Sequence, residues 1–282
     1  MIERHRAKRK ETWRSIVLTA LTAVLALCCI FPFLFMISSS FKPLGQMFEY
    51  PFRLIPSRPI LGNYEQLFLN GQLFPRWYVN TLVMACLTLV IKTAVICLTA
   101  YAFAKLEFKG KNVIFLVFLS SLMVPGDVTL VQRYIVYKHL HLTNTMWALI
   151  LPASVDMYFV FMMRQFFMGI PQALTESAII DGCSHLKIFQ KIMIPLAKPA
   201  ILTMVLFSFV WQWNDYTNPY IFITDTSRQM LSVGLTMFQI SQVNNYAVQM
   251  AGATLALLPI ILIYLFLQKY FIEGIATSGM KG

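Results

Sequence analysis

Charged residues are scarce in this chain. Only 12% of its 282 residues are Asp, Glu, Lys or Arg, whereas 58% are hydrophobic. A soluble domain of this length could not carry so apolar a composition on its surface. The composition therefore excludes a soluble globular domain and favours a protein embedded in a membrane.

Cysteine and histidine are also sparse, with 5 and 4 residues respectively. The sequence has no Cys-x-x-Cys and no His-rich cluster, so it predicts neither a disulfide nor a metal site. A partial match to a phosphate-binding loop at 274–281 fails, because Met280 separates Gly279 from Lys281. No nucleophile–base set or carboxylate pair suggests catalysis. We therefore predict that the chain is not an enzyme and has no cofactor of its own.

Long apolar runs are the dominant feature that is present. A run of roughly 18 or more apolar residues is typical of a transmembrane helix, and the sequence predicts about six such spans. They are 15–39, 80–104, 112–134, 143–166, 197–222 and 247–270. Pro125 and Gly126 are predicted to break or kink the third. We expect one all-α membrane domain over 15–270, a basic cytoplasmic segment at 1–14 and a cytoplasmic tail at 271–282.

The distribution of lysine and arginine predicts the orientation. With the N-terminus inside, fifteen of the 23 basic residues fall on the cytoplasmic side, seven fall outside, and Lys92 lies within a span. This bias favours both termini in the cytoplasm. It also explains the net charge of +11, since a basic segment next to the first span suits anionic lipid. Membrane lipid is therefore expected as a partner, and nucleic acid is not.

One loop between two spans carries a spaced motif. Three residues separate Glu176-Ser177-Ala178 from Gly182, and nine residues separate Gly182 from Ile192-Met193-Ile194-Pro195. This pattern resembles the EAA loop of ABC importer permeases, with Ser177 and Ile194 as conservative departures. The resemblance implies that the segment 171–198 docks on a separate ATPase. The residues implied in this coupling are Glu176, Ser177, Ala178, Asp181, Gly182, Ile192 and Pro195.

Other segments resemble the carbohydrate-uptake permeases of the maltose and arabinose-oligosaccharide type, within the family of binding-protein-dependent inner membrane components. They include 41–57, 63–64, 78–81, 164–171 and 213–219. The resemblance implies the type I ABC importer fold, a heterodimer with a second, unlike permease, and an external solute-binding protein. It also implies two ATPase subunits or domains, which would bind ATP and Mg, and a location in the bacterial cell (inner) membrane.

Two groups of residues are candidates for the substrate pathway. Trp211, Trp213, Asn214 and Asp215 offer the aromatic faces and planar polar groups that bind sugars, although residues of these types also collect at membrane interfaces and helix ends. Lys92 and Asp156 are charges near the middle of their spans and at similar depth. They either pair with each other or face the cavity separately, in which case Lys92 would favour an anionic sugar.

The segment 224–246 is predicted as a long outer loop that contacts the solute-binding protein, with packing on its own subunit as the alternative. Two other functions remain open. An ABC permease for a non-sugar solute would share the loop motif. A secondary transporter would be expected to show paired repeats with broken helices, and we find none in the sequence.

Overall fold

The computed structural model describes the backbone of residues 2–51, 53–69, 73–241 and 246–279, and the side chains of 13–51, 53–69, 73–237 and 246–269. These residues form helices and connecting segments without β-strands. In order, the helices are α1 (Ile2–Ser40), α2 (Gly62–Phe68), α3 (Phe74–Lys105), α4 (Lys111–Ser120), α5 (Leu130–His139), α6 (Trp147–Ala153), α7 (Met157–Gly169), α8 (Gln172–Ile180), α9 (His185–Ile188), α10 (Ile194–Leu196), α11 (Lys198–Asn214), α12 (Thr217–Phe222), α13 (Leu231–Ser241) and α14 (Tyr246–Gly279).

The all-α membrane prediction is confirmed. Within the described residues, four helical stretches are long and apolar enough to cross a membrane, and there are up to six if each of two bent helix pairs counts as one span. The four are Trp13–Ser40, Phe74–Lys105, Trp147–Gly169 and Tyr246–Lys269.

In two places, a pair of helices that meet at a sharp bend takes the place of one straight span. The predicted third span divides at Pro125 into Lys111–Met123 and Gly126–His139, which meet at 91°. The second pair, His185–Leu196 and Lys198–Asn214, meets at 76°. Proline lacks the N–H that would continue the helical ladder, which explains the predicted break at Pro125.

The predicted fourth span corresponds to Trp147–Gly169 but contains an interruption, and the predicted end of the fifth span was wrong. The fourth is interrupted between α6 and α7, where Asp156 has extended backbone dihedrals and caps α7. The fifth ends at Asn214 instead of Phe222, because Asp215 is extended and its carboxylate accepts hydrogen bonds from the N and Nδ2 of Asn218. These local bonds offer the backbone an alternative to continuing the helix.

The chain divides into two compact units. The first comprises Met1–Gln72 and Phe238–Leu255. Its helix α1 exposes its apolar side chains from Trp13 to Leu34, whereas Phe35 and Met36 are half-buried. The exposed side chains are left for lipid or another subunit to cover. Within this unit, Asn63 is buried and donates to the carbonyls of Ser40 and Lys42 at 2.8 and 2.9 Å. These bonds satisfy the C-terminal end of α1.

The second unit comprises Leu73–Met237 and Ala256–Gly282. Its main core is formed by α3 and α7 together with the segment after α8. Tyr101, Phe159, Met163, Phe167 and Ile188 are all buried there. The segment 171–198, called the coupling segment below, therefore packs on the same core as α3 and α7.

The predicted outer loop at 224–246 is largely helical. Helix α13 occupies Leu231–Ser241, and Leu231 and Val233 are buried. Residues 242–245, with Gln242, Asn244 and Asn245, lie outside the described residues. The burial favours the alternative that this segment packs on its own subunit.

The turn before α13 is tied to the start of α3. The Trp77 indole donates to the Thr226 carbonyl at 2.7 Å, and Asn80 donates to the Gln229 carbonyl at 3.0 Å. In the same turn, hydrogen bonds from the side chain and backbone of Ser227 lower the pKa of the Asp225 carboxyl. This turn is therefore ordered by polar contacts rather than by a hydrophobic core.

Gly234 lies against the Trp77 ring so closely that an added Cβ would overlap the ring atoms. We expect Gly234→Ala to lower the free energy of unfolding by about 1–3 kcal/mol, the range for overpacking a tight site. Gly169→Ala is the matched control, since an added Cβ there meets nothing within 4 Å. Thermal unfolding in detergent measures both, and equal midpoints would contradict the packing argument.

Candidate functional site

The motif residues begin on helix α8, which ends in a glycine-dependent turn. The N–H of Gly182 donates to the Ile179 carbonyl and that of Cys183 to the Ala178 carbonyl, each at 2.9 Å. Gly182 has a φ of 76°. This is the Schellman arrangement, in which a left-handed residue after the helix lets two N–H groups satisfy terminal carbonyls. The motif glycine is thus explained by backbone geometry.

The space around Gly182 is open. Within the described residues an added Cβ meets nothing within 4 Å. Any requirement for space at Gly182 must therefore come from a partner. Within this chain, the positive φ is the feature that favours glycine.

The second half of the segment is fixed to the core. Ser184 caps α9 by accepting from the Lys187 N–H at 3.4 Å. Ile188, Met193 and Ala197 are completely buried. Ile192 is half-buried in the π-helical turn Phe189–Met193, and Pro195 is exposed on α10. One face of the segment is therefore committed to its own subunit.

The opposite face is exposed and partly apolar. Ile180 is 85% exposed, and Leu186, Ile179 and Leu174 are also exposed. The motif residues Glu176, Ser177, Asp181 and Gly182 are also exposed, whereas Ala178 is buried in the core. Ala178 is therefore small because its own subunit surrounds it, and its predicted place at a partner surface is not supported by its burial.

Polar contacts join the ends of α3 and α7 to each other and join α3 to this segment. Lys105 donates to the Ile170 carbonyl at 2.8 Å, and Arg164 donates to the Phe103 carbonyl at 3.2 Å. The Tyr101 hydroxyl donates to the His185 carbonyl at 3.3 Å. Sequence analysis missed these roles, because Lys105 and Arg164 counted there only as markers of orientation. The first two contacts tie α3 to the C-terminal end of α7, and the third ties α3 to the start of α9.

The structure pairs the two mid-span charges. Lys92 Nζ lies 3.0 Å from Asp156 Oδ2, and Lys92 is only 3% exposed. The second carboxylate oxygen, Oδ1, accepts from the Tyr158 N–H at 3.0 Å and so caps α7. Of the two alternatives, pairing is confirmed. The argument from a free Lys92 to an anionic cargo therefore does not apply.

Aromatic rings connect this ion pair to Trp211. Lys92 Nζ lies 4.6 Å from the centroid of the Phe159 ring, a cation–π distance. The Phe159 and Trp211 centroids are 5.3 Å apart. Trp211 itself is 51% exposed. It therefore presents an indole face beyond the buried charge pair.

The neighbouring candidates have different environments. Trp213 is 3% exposed, and its indole N–H donates to the Ala256 carbonyl at 2.9 Å. Its ring packs inside the subunit and offers no surface to a substrate. Asn214 is exposed and donates to the Val210 carbonyl, while Asp215 holds the turn with Asn218 described above. Their roles in a substrate pathway stay predictions.

A pocket of about 440 Å³ lies beside these residues. Trp211, Asn214 and Asp215 line it, and so does Arg133, which sequence analysis counted only as an outer basic residue. Trp213 is not among its lining residues. The structure thus brings three of the four predicted residues to one pocket and adds an arginine.

These features define a class of protein: a polytopic membrane subunit with an exposed, partly apolar segment between two of its helices and a side-chain-lined pocket. The family described as "Binding-protein-dependent transport system inner membrane component" matches residues 77–277. The chain belongs to this family. It is the permease component of an ABC importer that works with a solute-binding protein, and it is a multi-pass inner membrane protein. In this family the permease is not the enzyme, because ATP hydrolysis occurs in separate subunits.

Individual relatives cover nearly the whole chain. The arabinooligosaccharides transport system permease protein AraQ of Bacillus subtilis is 34% identical over 95% of this chain and 96% of its own length. The maltodextrin transport system permease protein MdxG of Bacillus subtilis is 30% identical over 92% and 93%. A chain of a bacterial ABC transporter involved in the import of the acidic polysaccharide alginate has a TM-score of 0.85. That chain is 23% identical, with coverage of 93% and 98%, and it confirms the type I importer fold.

The ion pair predicts a non-additive double-mutant cycle. Asp156→Asn retains a capping side chain but strands buried Lys92, so we expect it to cost about 3–5 kcal/mol in the free energy of unfolding. Adding Lys92→Met should recover much of this loss. Denaturant unfolding in detergent measures the cycle, with exposed Asp127→Asn as the control. Strictly additive effects would contradict the coupling.

Proposed function

We propose that this chain forms half of a transmembrane pathway for a sugar or an oligosaccharide, in a heterodimer with a second, unlike permease. The cargo class of the relatives named above supports this proposal. The pocket supports it independently, because an exposed indole beside the side-chain amides of Gln212, Asn214 and Asn218 offers both ring stacking and hydrogen bonds. Carbohydrate is thus favoured over the non-sugar alternative.

The partially apolar face of the 171–198 segment is the proposed docking site for the ATPase. Exposed Ile180, Ile179 and Leu186 have no core of their own to join, and contiguous apolar exposure outside the bilayer marks a protein contact. Two ATPase subunits or domains would bind ATP and Mg, and their closure would displace the segment. The contact of Tyr101 with the His185 carbonyl would pass that displacement to α3, and the contacts of Lys105 and Arg164 would couple α3 to α7.

The orientation follows from the same assignment. Both termini are placed in the cytoplasm, because the basic residues concentrate there and because ATP is available on that side. Lys187 and Lys191, which are exposed on the docking segment, belong to the cytoplasmic set. The pocket beside Trp211 then lies toward the outer half of the pathway.

Transport by the assembled complex tests the cargo. Proteoliposomes containing both permeases and the ATPase, with the solute-binding protein outside, should take up radiolabelled oligosaccharides in an ATP-dependent manner. Amino acids, phosphate and peptides serve as the comparison panel. Uptake of one of those solutes without uptake of any sugar would contradict the proposed cargo.

The docking segment predicts an uncoupled variant. Gly182→Trp should abolish ATP-dependent uptake, because the indole would project from an open surface into the ATPase groove. The positive φ would add about 1–2 kcal/mol of local strain. Ile180→Glu should also prevent docking, at little cost to folding because the side chain is exposed. Uptake and co-purification of the ATPase measure both effects.

Gly182→Asn is the matched control, since asparagine tolerates the left-handed conformation and is much smaller than tryptophan. It should retain most of the uptake. Normal transport by Gly182→Trp, with the ATPase still bound, would show that the segment does not dock as proposed.

A further inference from the structure

Arg133 is the basic residue of the pocket and has no acidic partner among the described residues. The ion pairs there are Lys92–Asp156, Lys111–Glu107 and Arg228–Asp225. Arg133 Nε is buried and makes no hydrogen bond. Burying a charged donor without a partner costs free energy, and such a group calls for an explanation.

The guanidinium of Arg133 is held in position by an aromatic ring. Its Cζ lies 5.7 Å from the centroid of Phe222, which is itself 1% exposed. Phe222 also packs against Tyr137, with their centroids 5.1 Å apart. The arginine head therefore lies next to an aromatic cluster, and Arg133 also lines the pocket.

The carboxylate that shares the pocket is already engaged. Asp215 Oδ2 accepts from Asn218 Nδ2 at 2.8 Å, and Oδ1 accepts from the Asn218 N–H at 3.2 Å. No ion pair joins Asp215 to Arg133 within the described residues, since the pairs given above do not include it. The charge of Arg133 thus remains available to a ligand in the pocket.

We propose that the pocket is a subsite for an acidic sugar unit, with Arg133 binding the carboxylate of a uronate residue. The planar guanidinium matches a carboxylate through two parallel N–H donors. Trp211 would stack on the sugar ring, and the amides of Asn214 and Gln212 would bind its hydroxyls. This assignment rests on the proposed carbohydrate function and specifies the charge of the cargo.

The specificity depends on the difference between acidic and neutral sugars. A neutral sugar would leave Arg133 facing hydroxyl groups, which accept weaker hydrogen bonds than a carboxylate does. Lys92 does not supply this selectivity. Asp156 neutralises its charge, and only 3% of its side chain is exposed to solvent. The preference for an acidic unit is therefore assigned to one residue.

Uptake by the complete importer in proteoliposomes, with its solute-binding protein, tests this assignment. The probes are trisaccharides of galacturonate, mannuronate and glucuronate, with the neutral trisaccharides of galactose, mannose and glucose as comparisons. We expect at least one acidic trisaccharide to be imported. Arg133→Gln should raise its KM by about tenfold to a hundredfold, the value of a hydrogen bond to a charged group.

Two further variants separate recognition from folding. Arg133→Lys keeps the charge without the planar fork, so its KM should lie between those of the wild type and Arg133→Gln. Lys138→Gln removes the same charge from an exposed position on the same helix, α5, outside the pocket lining. It should leave the KM unchanged. Thermal unfolding midpoints of all three variants should not fall below that of the wild type, because none of them removes an ion pair between described residues.

The outcomes distinguish this inference from the proposed function. Import of neutral trisaccharides alone would overturn the acidic subsite and leave the carbohydrate importer intact. An equal loss of acidic and neutral uptake in Arg133→Gln, or full activity of that variant on the acidic sugar, would also overturn it. Import of no sugar at all would overturn both.

Discussion

The buried charge of Lys92 on α3 determines how α7 is placed in the middle of this protein. Lys92 lies in the apolar part of α3, where an uncompensated ammonium would be strongly unfavourable. Asp156 compensates it, and the same carboxylate caps α7. One side chain therefore neutralises a charge and permits a helix to restart after an interruption. The position of α7 follows from this contact, and the core that supports the coupling segment follows from α7.

The coupling segment has two faces with different requirements. Buried Ile188, Met193 and Ala197 fix one face to the subunit core, where shape complementarity decides which residues fit. The other face carries Ile180 and Leu186 in the open, where a partner must supply the complement. The motif combines both requirements: Ala178 serves the inner face, and Gly182 serves the turn between the two helices. A spaced sequence pattern can thus record several physical constraints that have little to do with one another.

The sequence predicted the membrane helices better than it predicted the breaks within them. Apolar runs and Pro125 were sufficient to predict the spans and one break, because length and a missing N–H are local properties. The break at Asp156 was not predicted, because the sequence analysis considered its charge only as a partner of Lys92 or a cavity residue and not as the cap of a new helix. Trp213 and Trp211 are of one residue type, two positions apart, yet one is buried and the other exposed. Only the rotation of α11 distinguishes them. Arg133 was overlooked for a similar reason, because its neighbours come from distant parts of the chain.

The polar contacts at the ends of α3 and α7 have a mechanical consequence. Lys105 reaches from α3 to the carbonyl after α7, and Arg164 reaches back from α7 to α3. Two bonds crossing in opposite directions resist both sliding and twisting of one helix against the other. A pull on the segment 171–198 would consequently travel along α7 without bending it. The 13 residues of α7 span about 20 Å at 1.5 Å per residue. The first compliant joint that the pull would meet is the interruption at Asp156, at the far end of α7.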